Sequence, residues 1–402
     1  MFKIDNPINN YKNIAHAFFL SLAITVAEPS TVMPLMVHHF SQSAFLVGLY
    51  AALLRGGAIV IQLYASFHAQ NYKRVIPYLR KVFFFRFLAW FSIGLFIALI
   101  GDSNKSLTVA LIGVGLFFFS FTAGFGAIYF KELQAKLFSK KYRGKTMANR
   151  NVAGSIASII SGGVTGYVLS NFQAPQNYAY LFMISSAIMA IGFIIFGTID
   201  EPIKENVSTK EKSFKEFIKN ANKLLRQDNR LKKQTLAIFL SFGYMFAMPF
   251  VILKANSTFE LTGWMLGGFI TIQMIGSIIG SSLLWRRISN YENMLTLAFV
   301  LAILPFIVAL FAENVYGYMA IFLLFGIAID GFNIAGMNLI IEIAPEDKRP
   351  IYTALQTNIS SIGLFFPILG AWVLHTFGYN LLYLVTILIL TSGLIISLKL
   401  KA

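Results

Sequence analysis

The 402-residue sequence has no cysteine, so disulfides and thiolate metal centres are excluded. Charge is also scarce. Asp, Glu, Lys and Arg make up 12% of residues, about half the share of a soluble domain. Acids are the rarest, 17 against 33 Lys and Arg. Most of such a chain cannot face water. A G-x-x-x-x-G-K-[ST] loop is missing, which argues against direct ATP drive. So are H-E-x-x-H and G-x-S-x-G, which argues against an intramembrane hydrolase. The five histidines (16, 38, 39, 68 and 375) follow no metal-ligand spacing, and the adjacent His38 and His39 point apart on a helix. No metal or cofactor is expected, and the chain does not read as an enzyme.

What fills the sequence is apolar. It is 57% hydrophobic, with mean hydropathy +0.68. Runs of about 20 apolar residues, the length that crosses a bilayer, recur from end to end. The pattern predicts an all-α integral membrane protein of twelve spans, near residues 13–37, 44–67, 79–100, 106–134, 146–170, 178–199, 234–254, 261–284, 293–311, 315–342, 351–375 and 378–398. Most connections are short and polar; residues 200–233 are long and charged. The N-terminal "MFKIDNPINNYKN" lacks the short apolar core and cleavage site of a signal peptide, so the first span is expected to remain in the membrane.

A net charge of +16 can indicate nucleic-acid binding, but here the charges lie between hydrophobic runs. With the N-terminus inside, 27 of the 33 basic residues fall on cytoplasmic segments, and two, Lys105 and Lys254, fall outside. That asymmetry predicts a multi-pass protein of the inner (cytoplasmic) membrane with both termini cytoplasmic.

The halves resemble each other. A shift of 215 lays Pro34 on Pro249 and "LVGLY" (46–50) on "LTGWM" (261–265); a shift of 206 lays Arg143 on Arg349. This predicts a parallel repeat of two six-helix bundles, 1–199 and 234–402, joined by 200–233. In the joining segment, Phe214, Phe217, Ile218, Ala221, Leu224 and Leu225 share a helical face. They predict an amphipathic helix on the inner leaflet.

Twelve spans, a parallel repeat, a long basic central loop and a basic "RGK" loop after span 4 resemble the major facilitator superfamily of the bacterial twelve-span type, over essentially the whole chain. The resemblance implies two bundles around a cavity lined by spans 1, 4, 7 and 10, and transport by alternating access. The loop between spans 2 and 3, "ASFHAQNYKRVIPYLRK", is basic like the family's but holds no acid. Span 5, "GSIASIISGGVTG", is glycine-rich without proline.

Ionisable groups lie deep in four spans: Glu28, Arg55, Arg86 and Asp330. Each costs roughly 2.5–3.5 kcal/mol unpaired at a helix centre, so each is a candidate functional residue. In "AITVAEPSTVMPLMVHHF", Ser21, Thr25, Glu28 and Thr31 follow helical spacing as a wet stripe. Pro29 and Pro34 there, and Pro249 in span 7, read as helix kinks that free backbone carbonyls. Asp330, in "AIDGFNIAGMN", shares a face with Asn333 and Met337, and Gln273 of span 8 joins the candidate cavity lining. Arg55 reads either as the partner of Glu28 on the neighbouring span or as an anion ligand. Arg86 is peripheral and can snorkel. Arg143, Lys145 and Arg349 form candidate cytoplasmic gate loops.

The reading is a proton-coupled secondary transporter of a small organic solute, with Glu28, Asp330 and Arg55 handling proton or substrate. Its partners are that solute, protons and the bilayer, with no nucleic acid, and it acts as a monomer. The alternatives are a transporter-shaped sensor or assembly partner, and a lipid flippase.

Overall fold

A computed structural model of the chain describes residues 6–26, 28, 30–69, 72–138, 140–203, 224–225, 227–288, 290–345 and 349–400. Its regular structure is helical. The helices are α1 Pro7–Val26, α2 Val32–Ser41, α3 Ala44–Ala69, α4 Ile76–Leu99, α5 Lys105–Leu137, α6 Lys140–Asn171, α7 Gln176–Gly197, α8 Asn229–Ser241, α9 Met248–Thr258, α10 Gly263–Ile279, α11 Tyr291–Phe311, α12 Val315–Ile343, α13 Arg349–Ser360 and α14 Phe366–Leu398. Nine stretches among the described residues are long and apolar enough to cross a bilayer. One of them, Leu355–Leu398, holds two crossings: α14 breaks at Gly378, whose φ of 78° suits a residue without Cβ. The first span is made of two separate helices, α1 and α2, and the second is α3.

Three spans are interrupted. α1 stops at Val26 and α2 starts at Val32; a 3-10 turn, Phe242–Phe246, separates α8 from α9; another, Ser361–Phe365, separates α13 from α14. Pro34, Pro249 and Pro367 each sit in the first turn after a break. A proline there gives up no hydrogen bond, because the first N–H groups of a helix have no partner within it. Pro34 and Pro249 therefore begin half-helices instead of bending continuous ones. Pro29 lies outside the described residues.

The chain divides into two compact units. The first comprises residues 1–41, 53–211 and 262–267; the second comprises 42–52, 212–261 and 268–402. In the first, α1 packs on α6 and α7, and α4 packs on α5 and α7. In the second, α11 packs on α12 and α14, and α8 packs on α13 and α14. Gly48 and Gly263, superposed by the 215-residue shift, both sit where backbones nearly touch. A Cβ on Gly48 would come 2.3 Å from the Pro367 carbonyl oxygen, and one on Gly263 would come 2.4 Å from the Ser170 nitrogen.

The segment leaving α7 is bound to the ends of three helices. Asn9 exchanges hydrogen bonds with the Asp200 backbone (2.9 and 3.2 Å), Lys12 reaches the Thr198 carbonyl (2.7 Å), and Arg80 reaches that of Gly197 (2.8 Å). Glu201, 5% exposed, takes the Lys136 ammonium at 2.7 Å. In the second unit, Leu224 and Leu225 pack on Leu231, Ile340, Ala344, Tyr352 and Leu355. That end of the joining segment is covered by protein, while 214–221 lie outside the described residues.

Candidate functional site

Two polar clusters stand out, one in each unit. In the first, Glu28 occupies the gap between α1 and α2 and is 8% exposed. Its carbonyl accepts from the Thr31 and Met33 N–H groups (3.3 and 3.2 Å), forming the turn that opens α2. Its carboxylate accepts the Ser30 hydroxyl at 3.0 Å, and the Arg55 charge on α3 is close enough to act on it.

The stripe spaced at 21, 25, 28 and 31 does not survive as one helical face, because α1 ends at Val26. Ser21 abuts Gly154, and Thr25 shares a hydrogen bond with Ser158 (3.1 Å). Thr31 is fully buried, and its hydroxyl has no hydrogen-bond partner among the described residues. The carbonyls at the end of α1 are taken up by α6: Ser161 donates to Leu22 (2.5 Å) and Thr165 to Val26 (3.1 Å). Nothing in the sequence reading singled out Ser158, Ser161 and Thr165, yet their spacing of three and four on an apolar span is a readable signal.

Deeper in this unit, Gln134 donates to Asn13 Oδ1 (2.8 Å), and Arg150 donates to the Asn13 carbonyl (2.6 Å) and Oδ1 (2.8 Å). Arg150 also meets His16 Nδ1 (3.2 Å). Arginine can only donate, so His16 accepts there and its ring proton sits on Nε2. Arg86 does not snorkel: its guanidinium lies over the Phe119 ring at 4.4 Å, and its Nε is buried with no hydrogen bond among the described residues.

In the second unit, Asp330 of α12 is half-buried. Its Oδ2 accepts the hydroxyls of Ser277, on α10, and Ser281 (2.8 Å), on the π-helical turn Gly280–Leu284 that ends the span. Among the described residues, no basic group pairs with it. π-turns of this kind recur at functional sites. Asn333 and Met337 are exposed on the same side of α12, Met337 to 67%. Gln273 is buried in the seam with α12, its carbonyl against Gly326. The side chains of Arg143, Lys145 and Arg349 lie outside the described residues; their backbones are helical. Among the described residues no group of three His, Asp or Glu could hold a metal.

The family described as the Major Facilitator Superfamily matches residues 14–313 and, a second time, 234–401. No curated protein matches significantly. Among solved structures, a mutant of the nucleoside transporter NupG superposes with a TM-score of 0.70 at 13% identity, covering 98% of this chain and 99% of that one. A bacterial homologue of the human lysosomal transporter Spinster, inward-facing and occupied, superposes with a TM-score of 0.66 at 12% identity, covering 99% and 97%. Its unoccupied form gives 0.63 at 13% identity, covering 98% and 95%. Identities this low show the fold alone. Twelve spans in two six-helix bundles related by a parallel repeat, together with the family match over both halves, identify the chain as a membrane transporter that belongs to the major facilitator superfamily.

Proposed function

We propose that the chain is a secondary-active transporter that uses the proton gradient to move a small organic solute by alternating access. The observation that carries this is Asp330: a carboxylate at membrane depth, held by two serine hydroxyls and given no basic partner among the described residues. Such a group is costly unless it binds something positive during its working cycle. Glu28 and Arg55 supply a second, opposite-charged pair of groups for proton or substrate. Ser21, Thr25, Thr31, Gln273, Asn333 and Met337 are proposed as nearby polar or soft lining, and Pro34 and Pro249 as the starts of half-helices that move. Arg143, Lys145 and Arg349 are proposed as gate residues.

In this reading the bundles are 1–199 and 234–402. The segment 200–233 and both termini face the cytoplasm of an inner membrane, and one copy suffices. The test is a thermal-shift screen of purified protein against nucleosides, amino acids, sugars and carboxylic acids, followed by uptake of each hit into proteoliposomes. Nucleosides head the panel because of the likeness to a nucleoside transporter. Uptake of a hit only when the lumen is more alkaline, or only when it is more acidic, supports the reading. Equal uptake under either gradient and under none opposes it.

A further inference from the structure

One face of α11 changes character along its length. Asn293, Thr296, Leu297 and Val300 follow the spacing of a single helical face, and exposed Leu304, Ile307 and Phe311 continue it. The polar pair stands beside the loop that enters α11, and everything beyond it on this face is apolar. From Leu297 to Ile307 the apolar part runs about 15 Å at a rise of about 1.5 Å per residue. That is half of a hydrocarbon core about 30 Å thick, the depth of one leaflet. At the polar end, the loop and the helix enclose a groove of about 570 Å³ whose lining includes Arg287, Asn290, Asn293, Thr296, Leu297 and Val300. Its volume lies in the range of small-molecule sites.

The groove presents donors and positive charge. Asn290 gives its Oδ1 to the Asn293 N–H at 2.8 Å, which leaves its amide N–H groups to donate. The Thr296 hydroxyl donates to the Glu292 carbonyl (2.9 Å) and meets the Ser397 hydroxyl (3.1 Å). The floor is thus tied to the end of α14, where Lys399 is exposed. The Glu292 carboxylate is held by Arg230 of α8 at 2.8 Å. Arg286 and Arg287 are both exposed, and no acid pairs with either among the described residues. A planar guanidinium takes a phosphate through two parallel N–H bonds. A polar groove alone would suit any phosphate, but one whose apolar wall continues for the depth of a leaflet suits a phosphate that carries acyl chains. The lining holds no acid to meet a choline or ethanolamine cation, so a headgroup of net negative charge fits it best.

We propose that this groove is a binding site for an anionic phospholipid, with the phosphate at Arg287 and Asn293 and an acyl chain along Leu297, Val300, Leu304 and Ile307. The site uses neither Glu28 nor Asp330 and stands whatever the solute or the driving ion. The test is the melting temperature of purified, delipidated protein in detergent, titrated with phosphatidylglycerol, with phosphatidylcholine and with glycerol phosphate. The expected result is a saturable rise with phosphatidylglycerol, at most a small one with phosphatidylcholine and none with glycerol phosphate. Arg287→Gln should move the half-maximal phosphatidylglycerol concentration about tenfold higher. Arg74→Gln, which removes an exposed arginine of the other unit, should leave it unchanged. Should Arg287→Gln fail to fold, Asn293→Ala, which keeps the arginine, carries the test with a weakening of about threefold. Equal rises with the two lipids mark ordinary boundary lipid and overturn the proposal. A rise with glycerol phosphate that matches phosphatidylglycerol marks a site for a free anion and also overturns it. So does a parent with no rise, an equal loss in Arg287→Gln and Arg74→Gln, or no loss in either groove variant.

Discussion

Glu201 closes on the start of α4: its two carboxylate oxygens accept the Val75 N–H at 2.8 and 2.9 Å, and one of them also accepts the Ile76 N–H at 2.8 Å. These are among the N–H groups that a helix leaves unpaired at its first turn, and a negative charge there is favoured by the helix dipole. Lys136, from the end of α5, completes the cluster and also donates to the Lys73 carbonyl (3.0 Å). The loop before α4 has no acid of its own, so the charge at that helix start arrives from residue 201.

Removing that carboxylate strands a buried ammonium and two N–H groups. Glu201→Ala is expected to lower unfolding free energy by roughly 3 kcal/mol, with Glu201→Gln in between. Thermal unfolding in detergent checks this; an unchanged midpoint in Glu201→Ala would show that the cluster adds nothing.

Asp228 lies just before α8 and gives a pH-dependent case. Burial alone would raise its carboxyl, but hydrogen bonds from the Leu231 N–H, the Tyr352 hydroxyl and the Arg230 N–H, with the Arg230 charge, outweigh that and hold it below the usual carboxylate range. A carboxyl depressed on folding stabilises the fold above its unfolded pKa, about 3.9, and loses that effect as pH falls through the folded value. Asp228→Ala should therefore cost about 1 kcal/mol at neutral pH, as for a lost N-cap. The gap to the parent should close below about pH 4. Measured stability curves that run parallel down to acid pH would contradict this.

Adjacent glycines on α10 should respond oppositely. A Cβ on Gly267 would come 2.3 Å from the Gly162 carbonyl oxygen, whereas one on Gly268 would meet only the end of Met319, at 4.0 Å. Gly267→Ala is expected to destabilise by about 1–3 kcal/mol, and Gly268→Ala to stabilise by up to about 1 kcal/mol. Paired melting curves decide, and equal shifts would refute the close contact.

Topology is testable without background, since the chain has no cysteine. Lys212→Cys and Ser103→Cys should label from opposite faces, with Lys212→Cys protected from an impermeant reagent outside intact cells. Labelling of Lys212→Cys from outside would reverse the proposed orientation.

Hydropathy made the spans readable, because crossing a bilayer demands about 20 apolar residues whatever their neighbours. The repeat was readable at Gly48 and Gly263 because a backbone-to-backbone contact tolerates only glycine. Glu28 stood out because a carboxylate in an apolar run is rare. Its helical stripe was misleading, since periodicity assumes a continuous helix and α1 ends two residues earlier. The partners of Ser161 and Thr165, Glu201 at Val75, and the π-turn under Asp330 were not legible. Each depends on which face of one helix meets another more than 40 residues away in sequence. Arg86 read as snorkelling for the same reason: the Phe119 ring that covers it comes from a different helix.

The central claim is ion-driven transport, and the most direct measurement is solute accumulation in proteoliposomes under an imposed pH gradient, with and without a protonophore. For a solute identified by thermal shift, accumulation should exceed the external concentration in one gradient direction. It should collapse to equilibration on adding the protonophore, and should be absent in Asp330→Asn. Accumulation that survives the protonophore, or Asp330→Asn matching the parent at every pH, would contradict it.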